Sequence, residues 1–148
     1  MRAGDLVTPF PTVRSETPAL EAARLLAGQD LPGLIVVDDR ERPLTILAGT
    51  QVLRMAVPSY CLEDPTLARV IDEAAADVFH RGLGDRTVAD GLPKERRELP
   101  VVESDATALE MAALMARTRT PLVAVVDEDG RLLGAVTLDA LLDRVLAQ

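Results

Sequence analysis

The chain has 148 residues, enough for one compact module or two small ones sharing a core. Sixteen Lys and Arg against 24 Asp and Glu give a net charge of −8, which excludes the basic footprint that a nucleic acid or an anionic membrane surface requires. Apolar residues make up 48% but the aromatics are only Phe10, Tyr60 and Phe79, so the chain folds around an aliphatic core and has no base-stacking platform.

The first residues, Met1-Arg2-Ala3-Gly4-Asp5, carry an early acid and no apolar run of signal-peptide length. Nowhere do about 18 apolar residues follow one another, so the expectation is a cytoplasmic chain without membrane insertion. Thr8-Pro9-Phe10-Pro11 is a stiff segment leading into the extended piece Thr12-Val13. Thr17 reads as a helix cap and Pro18 as the first-turn proline of a helix to Ala27. The run 34–37 reads as a buried strand, 38–42 as a polar turn, 44–47 as a second strand and 50–57 as a helix.

From Asp64 onward the pattern changes. Asp64 is a plausible cap, Pro65 the first helical residue, and Leu67, Val70, Ile71, Ala74, Ala75, Val78 and Phe79 recur at helical spacing before Gly82 and Gly84. One amphipathic helix is predicted, closed by His80, with Asp72, Glu73 and Asp77 opposite its apolar stripe. The stripe has to pack on the module or on a second copy of it. Cys61 falls in an irregular stretch. As the sole cysteine it allows no intrachain disulfide, and with His80 as the sole histidine a Cys/His zinc site is excluded. Extended residues return at 101–102, a helix at 108–117, strands at 122–126 and 132–137 around the turn 127–131, and a last helix at 138–147.

The two ends of this description are the same sequence. Residues 11–53 set against 100–142 match without a gap at 16 of 43 positions, among them Pro32/Pro121, Val36/Val125, Val37/Val126, Asp38/Asp127 and Arg42/Arg131. Upstream the match resumes at a different offset, with Asp5 opposite Asp90. The unit is β-α-β-β-α, too small to bury enough surface alone, and two stacked copies share one core. The expected organisation is a first copy over 1–57, a helical insert over 58–84 and a second copy over 85–148. In class this is an α/β (α+β) fold with the copies related by pseudo-two-fold symmetry.

The run Val-Val-Asp-x-x-Gly-x-Leu-x-Gly-x-Val-Thr at 125–137, preceded by an Ala-rich helix and Pro121, resembles the CBS (cystathionine-β-synthase) domain. The first copy carries a weaker version, Val36-Val37-Asp38 and Arg42-Pro43-Leu44. Two copies in tandem are similar to a Bateman module, and the insert after Pro58-Ser59-Tyr60 to small stand-alone actinobacterial CBS proteins. The resemblance implies a regulatory module that dimerises through its helices. It implies adenosyl ligands (AMP, ADP, ATP or S-adenosylmethionine) in the cleft between the copies, and a regulated transporter or enzyme in trans. It implies no required cofactor.

In the second copy the ligand positions implied are Arg119, Pro121, Leu122, Thr137 and Asp139; in the first, Thr12, Pro32, Gly33, Leu34 and Thr50. The family's ribose-binding Asp stands three residues after the Ser/Thr that ends the last strand. Here those places hold Ala140 after Thr137, and Gln51 after Ala48, while Asp139 is one place early. Asp139 therefore reads either as a ribose acceptor or as a first-turn carboxylate, and Thr137 either as a ligand contact or as a cap. Arg119 stands opposite Asp30, so the two clefts are expected to differ in charge, and Lys94-Glu95-Arg96-Arg97 adds a basic spot. Catalysis has no support: there is no Gly-x-Ser-x-Gly elbow, phosphate loop or dinucleotide fingerprint. The alternative function is a dimerisation or protein-interaction module that has lost its ligand.

Overall fold

The computed structural model of the protein describes residues 1–29, 31–95 and 98–147. Each copy supplies a three-stranded sheet and two helices. In the first, β1 (Thr12–Val13), α2 (Ala19–Gln29), β2 (Gly33–Val37), β3 (Pro43–Ala48) and α3 (Gly49–Ala56) follow α1 (Ala3–Leu6). In the second, β4 (Val101–Glu103), α7 (Ala108–Thr118), β5 (Leu122–Val126), β6 (Leu132–Thr137) and α8 (Leu138–Leu146) follow α6 (Val88–Gly91). The sheet orders are β1-β2-β3 and β4-β5-β6. In the second sheet β4 runs parallel to β5, and β5 antiparallel to β6.

By contacts the chain forms two compact units. One comprises Met1–Thr12, Ile35–Ile46 and Arg97–Gln148, the other Val13–Leu34 and Leu47–Arg96. Within the first unit, Ile35, Val37 and Ile46 of the first sheet share a core with Leu122, Ala124 and Ala135 of the second, and Phe10 packs against it. That is the sheet-to-sheet burial the duplication calls for. A separate cluster beneath α7 and α8 contains Ala3, Leu6, Met111, Val123 and Leu141. The second unit is closed by Ala19, Ala22, Val52, Met55, Leu83 and Val88, all buried.

The leading turns are exchanged. In α1, the N–H of Ala3 donates to Ala106 (2.8 Å) and that of Gly4 to Ser104 (2.9 Å), both at the start of the second copy. Reciprocally, Val88 and Ala89 of α6 donate to Thr17 (2.8 Å) and Ser15 (2.9 Å) of the first. Asp5 and Asp90 play the same part, each accepting from the N–H three residues earlier at 2.9 Å. The segment after α1 continues along the second sheet, where Thr8 and Ala135 exchange backbone bonds at 3.1 and 3.0 Å. Gly134 permits this approach, since a Cβ there would collide with the Thr8 carbonyl.

Three local expectations are corrected. Thr17 does not cap α2: its Oγ1 accepts from the N–H of Arg14 (2.9 Å) and closes the preceding turn. Thr107 caps α7, bonding the N–H of Glu110 at 3.2 Å, and in the repeat register its counterpart is Pro18, which has no hydroxyl to offer. Cys61 is in a short helix, α4 (Ser59–Glu63), and is buried. The single helix expected from Pro65 to Phe79 is two elements. Asp64 does cap the first, a 3₁₀ turn over Pro65–Val70, accepting from the N–H of Thr66 at 3.2 Å. The chain then runs extended at Ile71 and Ala74 before α5 (Ala75–Leu83). The physical reason is burial. Val70 is 80% exposed, so the early half of the stripe has no surface to pack against, and the β-branched pair Val70-Ile71 is a weak place to continue a helix.

Candidate functional site

Each repeat presents a groove between its two helices, and the grooves are built from equivalent positions. In the second repeat the wall is α7, the turn 119–121 and α8. The turn has a defined cause. Arg119 ends α7 in the left-handed conformation (φ 57°), and the N–H groups of Arg119 and Thr120 both bond the Met115 carbonyl. On either side, Thr118 Oγ1 and Thr120 Oγ1 lie 2.7 Å apart; Thr118 donates to the Leu114 carbonyl at 2.7 Å, which leaves Thr120 to donate its proton to Thr118, with the Leu122 carbonyl 3.3 Å away. This hydroxyl bridge satisfies the buried Thr120 and fixes a conformation that is costly for a residue with a Cβ. Pro121 then accepts from the N–H of Leu138 at 2.8 Å, tying the turn to the start of α8. The resulting groove, about 400 Å³, is lined by Ala112, Met115, Arg119, Pro121, Leu138 and Leu142 with their neighbours.

In the first repeat Pro32 accepts from the N–H of Gly49 (3.4 Å), the same tie at the same positions. The groove here is larger, about 740 Å³, because α5 supplies an added wall. α5 packs on α3 and α2, with Gly82 against the carbonyls of Met55 and Ala56. The lining is apolar (Leu20, Leu26, Leu53, Phe79, Leu83), with Arg24, Thr50 and His80 as its polar groups. Arg24, Phe79 and His80 were not singled out as site residues from the sequence. Their convergence is tertiary, coming from helices far apart in the chain, and no spacing signals it.

The structure brings Arg119 and Pro121 together in one groove, and Pro32 and Thr50 in the other. Thr12, Gly33, Leu34, Leu122, Thr137 and Asp139 line neither. Leu34 and Leu122 are fully buried in strands β2 and β5, so their side chains belong to the core. Thr137 pairs with Leu122 in the sheet, and its Oγ1 accepts from the N–H of Ala140 (3.2 Å), capping α8. In the first repeat the Gln51 Oε1 accepts from the N–H of Ala48 at 2.7 Å. The two positions at which the family pattern carries a ribose-reading pair are thus joined to each other within both repeats. Asp139 is exposed in the first turn of α8, and its carboxylate suits that helix end. The expected contrast between Arg119 and Asp30 and the basic spot at Arg96 and Arg97 fall on Asp30, Arg96 and Arg97, outside the described residues.

Asp38 and Asp127 are matched turn formers. Asp38 Oδ1 accepts from the N–H groups of Arg40 (2.8 Å) and Arg42 (3.0 Å), and Asp127 Oδ1 from those of Asp129 (2.9 Å) and Arg131 (3.0 Å). The Arg42 N–H, opposed by some desolvation and assisted by the Arg40 N–H and both guanidiniums, holds the Asp38 carboxyl below its ordinary range. Among the described residues no group of three or more His, Cys, Asp or Glu is placed to hold a metal ion, and no helix is long and apolar enough to cross a membrane.

Comparison with known proteins agrees with this architecture. A CBS domain protein of unknown function from Kribbella flavida, an actinobacterium, is 48% identical, with a TM-score of 0.89 and 99% of each chain covered. The CBS-pair protein CBSX2 from Arabidopsis thaliana matches at 20% identity and a TM-score of 0.71, covering 99% of this chain and 94% of its own. The cytosolic domain of the Mg2+ channel MgtE, in a complex with ATP, matches at 26% identity and a TM-score of 0.64 over 97% of this chain and 48% of its own. No curated protein matches the chain. The family model described as CBS domain matches twice, over residues 3–49 and 95–147. The duplicated β-α-β-β-α unit, its two packed sheets and this double match make the chain a member of the CBS domain family, carrying two repeats.

Proposed function

We propose that this CBS pair is a non-catalytic regulatory module that binds an adenosyl compound (AMP, ADP, ATP or S-adenosylmethionine), pairs with a second copy of itself, and acts in trans on a transporter or enzyme. The observation that carries the ligand reading is the turn at 119–121. It sets Arg119 in the wall of an apolar groove at the start of a buried strand, where a purine finds apolar surface and a phosphate finds charge. Solved structures with the same fold support it, one a complex with AMP and another with 5′-methylthioadenosine and S-adenosylmethionine. The ligand-side residues we propose are Arg119 and Pro121 in the groove wall, with Leu122, Thr137 and Asp139 next to it in the chain; the weaker set is Pro32 and Thr50 in the other groove, with Thr12, Gly33 and Leu34 outside its wall. We take the structural units to be the two repeats, 1–57 and 85–148, with 58–84 as a helical insert.

A second reading, an interaction module without ligand, is favoured by one observation: Thr137 and Gln51 spend their oxygens on local helix caps. With the usual sugar acceptor missing, affinity is expected to be weak, since a charge-assisted hydrogen bond is worth about 1.5–3 kcal/mol. Calorimetry with AMP, ADP, ATP and S-adenosylmethionine separates the two. On the sensor reading, Arg119→Ala weakens ATP and ADP by roughly tenfold and adenosine hardly at all. No heat from any adenosyl compound at millimolar concentration leaves the interaction module as the function.

A further inference from the structure

Where the chain leaves the first repeat for the insert and returns from it, α3 and α5 border a cleft of about 310 Å³ that shares no lining residue with either groove. Three arginines from three places line it: Arg54 from α3, Arg81 from α5 and Arg86 from the connection to α6. Ser59 adds a hydroxyl-bearing side chain to the wall, and among the described residues no Asp or Glu lines it. In a chain with 24 acids to 16 bases, three arginines around one cleft without an acid run against the composition.

The helix ends explain part of this. Arg54 and Arg81 stand in the last turns of α3 and α5, where a cation offsets the negative end of the helix dipole. Arg86 belongs to no helix. Its place is fixed by the main chain, its N–H donating to the Leu83 carbonyl at 3.2 Å and its carbonyl accepting from the N–H of Ala19 at 2.9 Å. Neither bond calls for a guanidinium. Arg81 is ion-paired with Glu73, whereas among the described residues neither Arg54 nor Arg86 makes an ion pair. Gly82, also in the wall, lets α5 approach the Ala56 carbonyl, so the backbones that carry Arg54 and Arg81 are held in place before any ligand arrives.

We propose that this cleft binds a phosphate group, free or as the end of a small phosphate ester. Guanidinium forks match phosphate oxygens, and several converging donors suit a tetrahedral dianion better than a carboxylate, which offers only two oxygens. The volume stands at the lower end of the range for ligand pockets, roughly 300–1,000 Å³, so the ligand is small. Val57, Pro58 and Val78 give its carbon body apolar surface. The cleft is built where the insert meets α3, and it stands independently of the adenosyl reading.

The test is a titration of the full chain with inorganic phosphate and with glycerol 3-phosphate at constant ionic strength, followed by amide chemical shifts. Saturable shifts are expected at Ser59, Gly82 and Arg86, with a Kd of the order of 1 mM because the three arginines are exposed to water and screened. Arg54→Gln and Arg86→Gln are each expected to weaken both probes by roughly tenfold. Both side chains are exposed, so the fold survives, as unchanged shifts in α8 will show. Glu73→Gln releases Arg81 and is expected to tighten binding by about threefold, a gain that a purely structural role for these residues would not produce. Arg119→Ala should leave all of this unchanged, which tells failure of this site from failure of the adenosyl reading. An ester that binds more tightly than inorganic phosphate identifies the ester as the ligand; equal affinity identifies the free ion. Shifts that do not saturate, that sodium chloride reproduces, or that keep their affinity in both arginine variants overturn the site.

Discussion

The helix pairs α2–α3 and α7–α8 descend from one duplicated unit, keep the same proline tie to the next helix, and end in different environments. Leu20 and Leu109 occupy the same place in the repeat, yet one is half-buried and the other 81% exposed. Nothing in the repeats themselves accounts for this. The difference is the third helix, α5, which packs on α2 and α3. Exposure of an apolar residue is therefore set here by the connecting chain, and α5 gives one of two equivalent grooves a further wall.

If α5 is what walls the first groove, undoing its anchor should have the largest effect. Leu83 is 2% exposed, and Leu83→Ala is expected to cost about 2–5 kcal/mol, a fall of roughly 5–15 °C in Tm. Leu109→Ala in the second repeat should change stability by no more than about 0.5 kcal/mol. Equal losses for the two would abolish the contrast. A smaller effect tests the close approach itself. A Cβ on Gly82 would lie 2.5 Å from the Ala56 carbonyl oxygen, so Gly82→Ala should push α5 away from α3 at a cost of about 1–3 kcal/mol. Hydrogen exchange should report faster amides in α5 and unchanged ones in α8.

The smallest effect concerns the turn of Asp38. Its carboxyl ionises at lower pH in the folded chain than in the unfolded one. Its stabilisation is therefore complete at neutral pH and is lost as the pH falls through the ordinary Asp value and then the lowered one. Asp38→Asn keeps an acceptor oxygen but does not titrate. Its urea midpoint should lie slightly below that of wild type at neutral pH and converge with it under acid conditions. A gap that persists unchanged in acid would assign the turn's strength to shape rather than charge.

Much of this fold is legible in the residues. The strands 122–126 and 132–137 agree with β5 and β6 residue for residue, because unbroken apolar runs between polar turns have few other uses. The duplication then carries each assignment to the other half. Legibility fails where period alone is the guide. Leu67 to Phe79 keeps helical spacing across a break, since spacing records which residues share a face and says nothing of whether a surface awaits them. It fails again at the grooves. Arg119 and Pro121 are neighbours in sequence and so could be paired by reading, whereas Arg24, Phe79 and His80 meet only once α5 has docked. The cap roles of Thr137 and Gln51 lay between the two, written in the sequence as an oxygen three residues from a helix start but open to either use.

The exchange of leading turns sets an order on how the protein is made. The segment that completes the first repeat, Val88–Gly91, is made only after α5, while the turn that completes the second, Ala3–Leu6, is made before any strand of either repeat. The earlier half must wait for a later strip of chain, and that early turn must stay available until the last sheet exists. Chains cut between the repeats would yield two fragments each lacking four residues held by the other, a pair suited to reassembly by complementation and unsuited to folding alone.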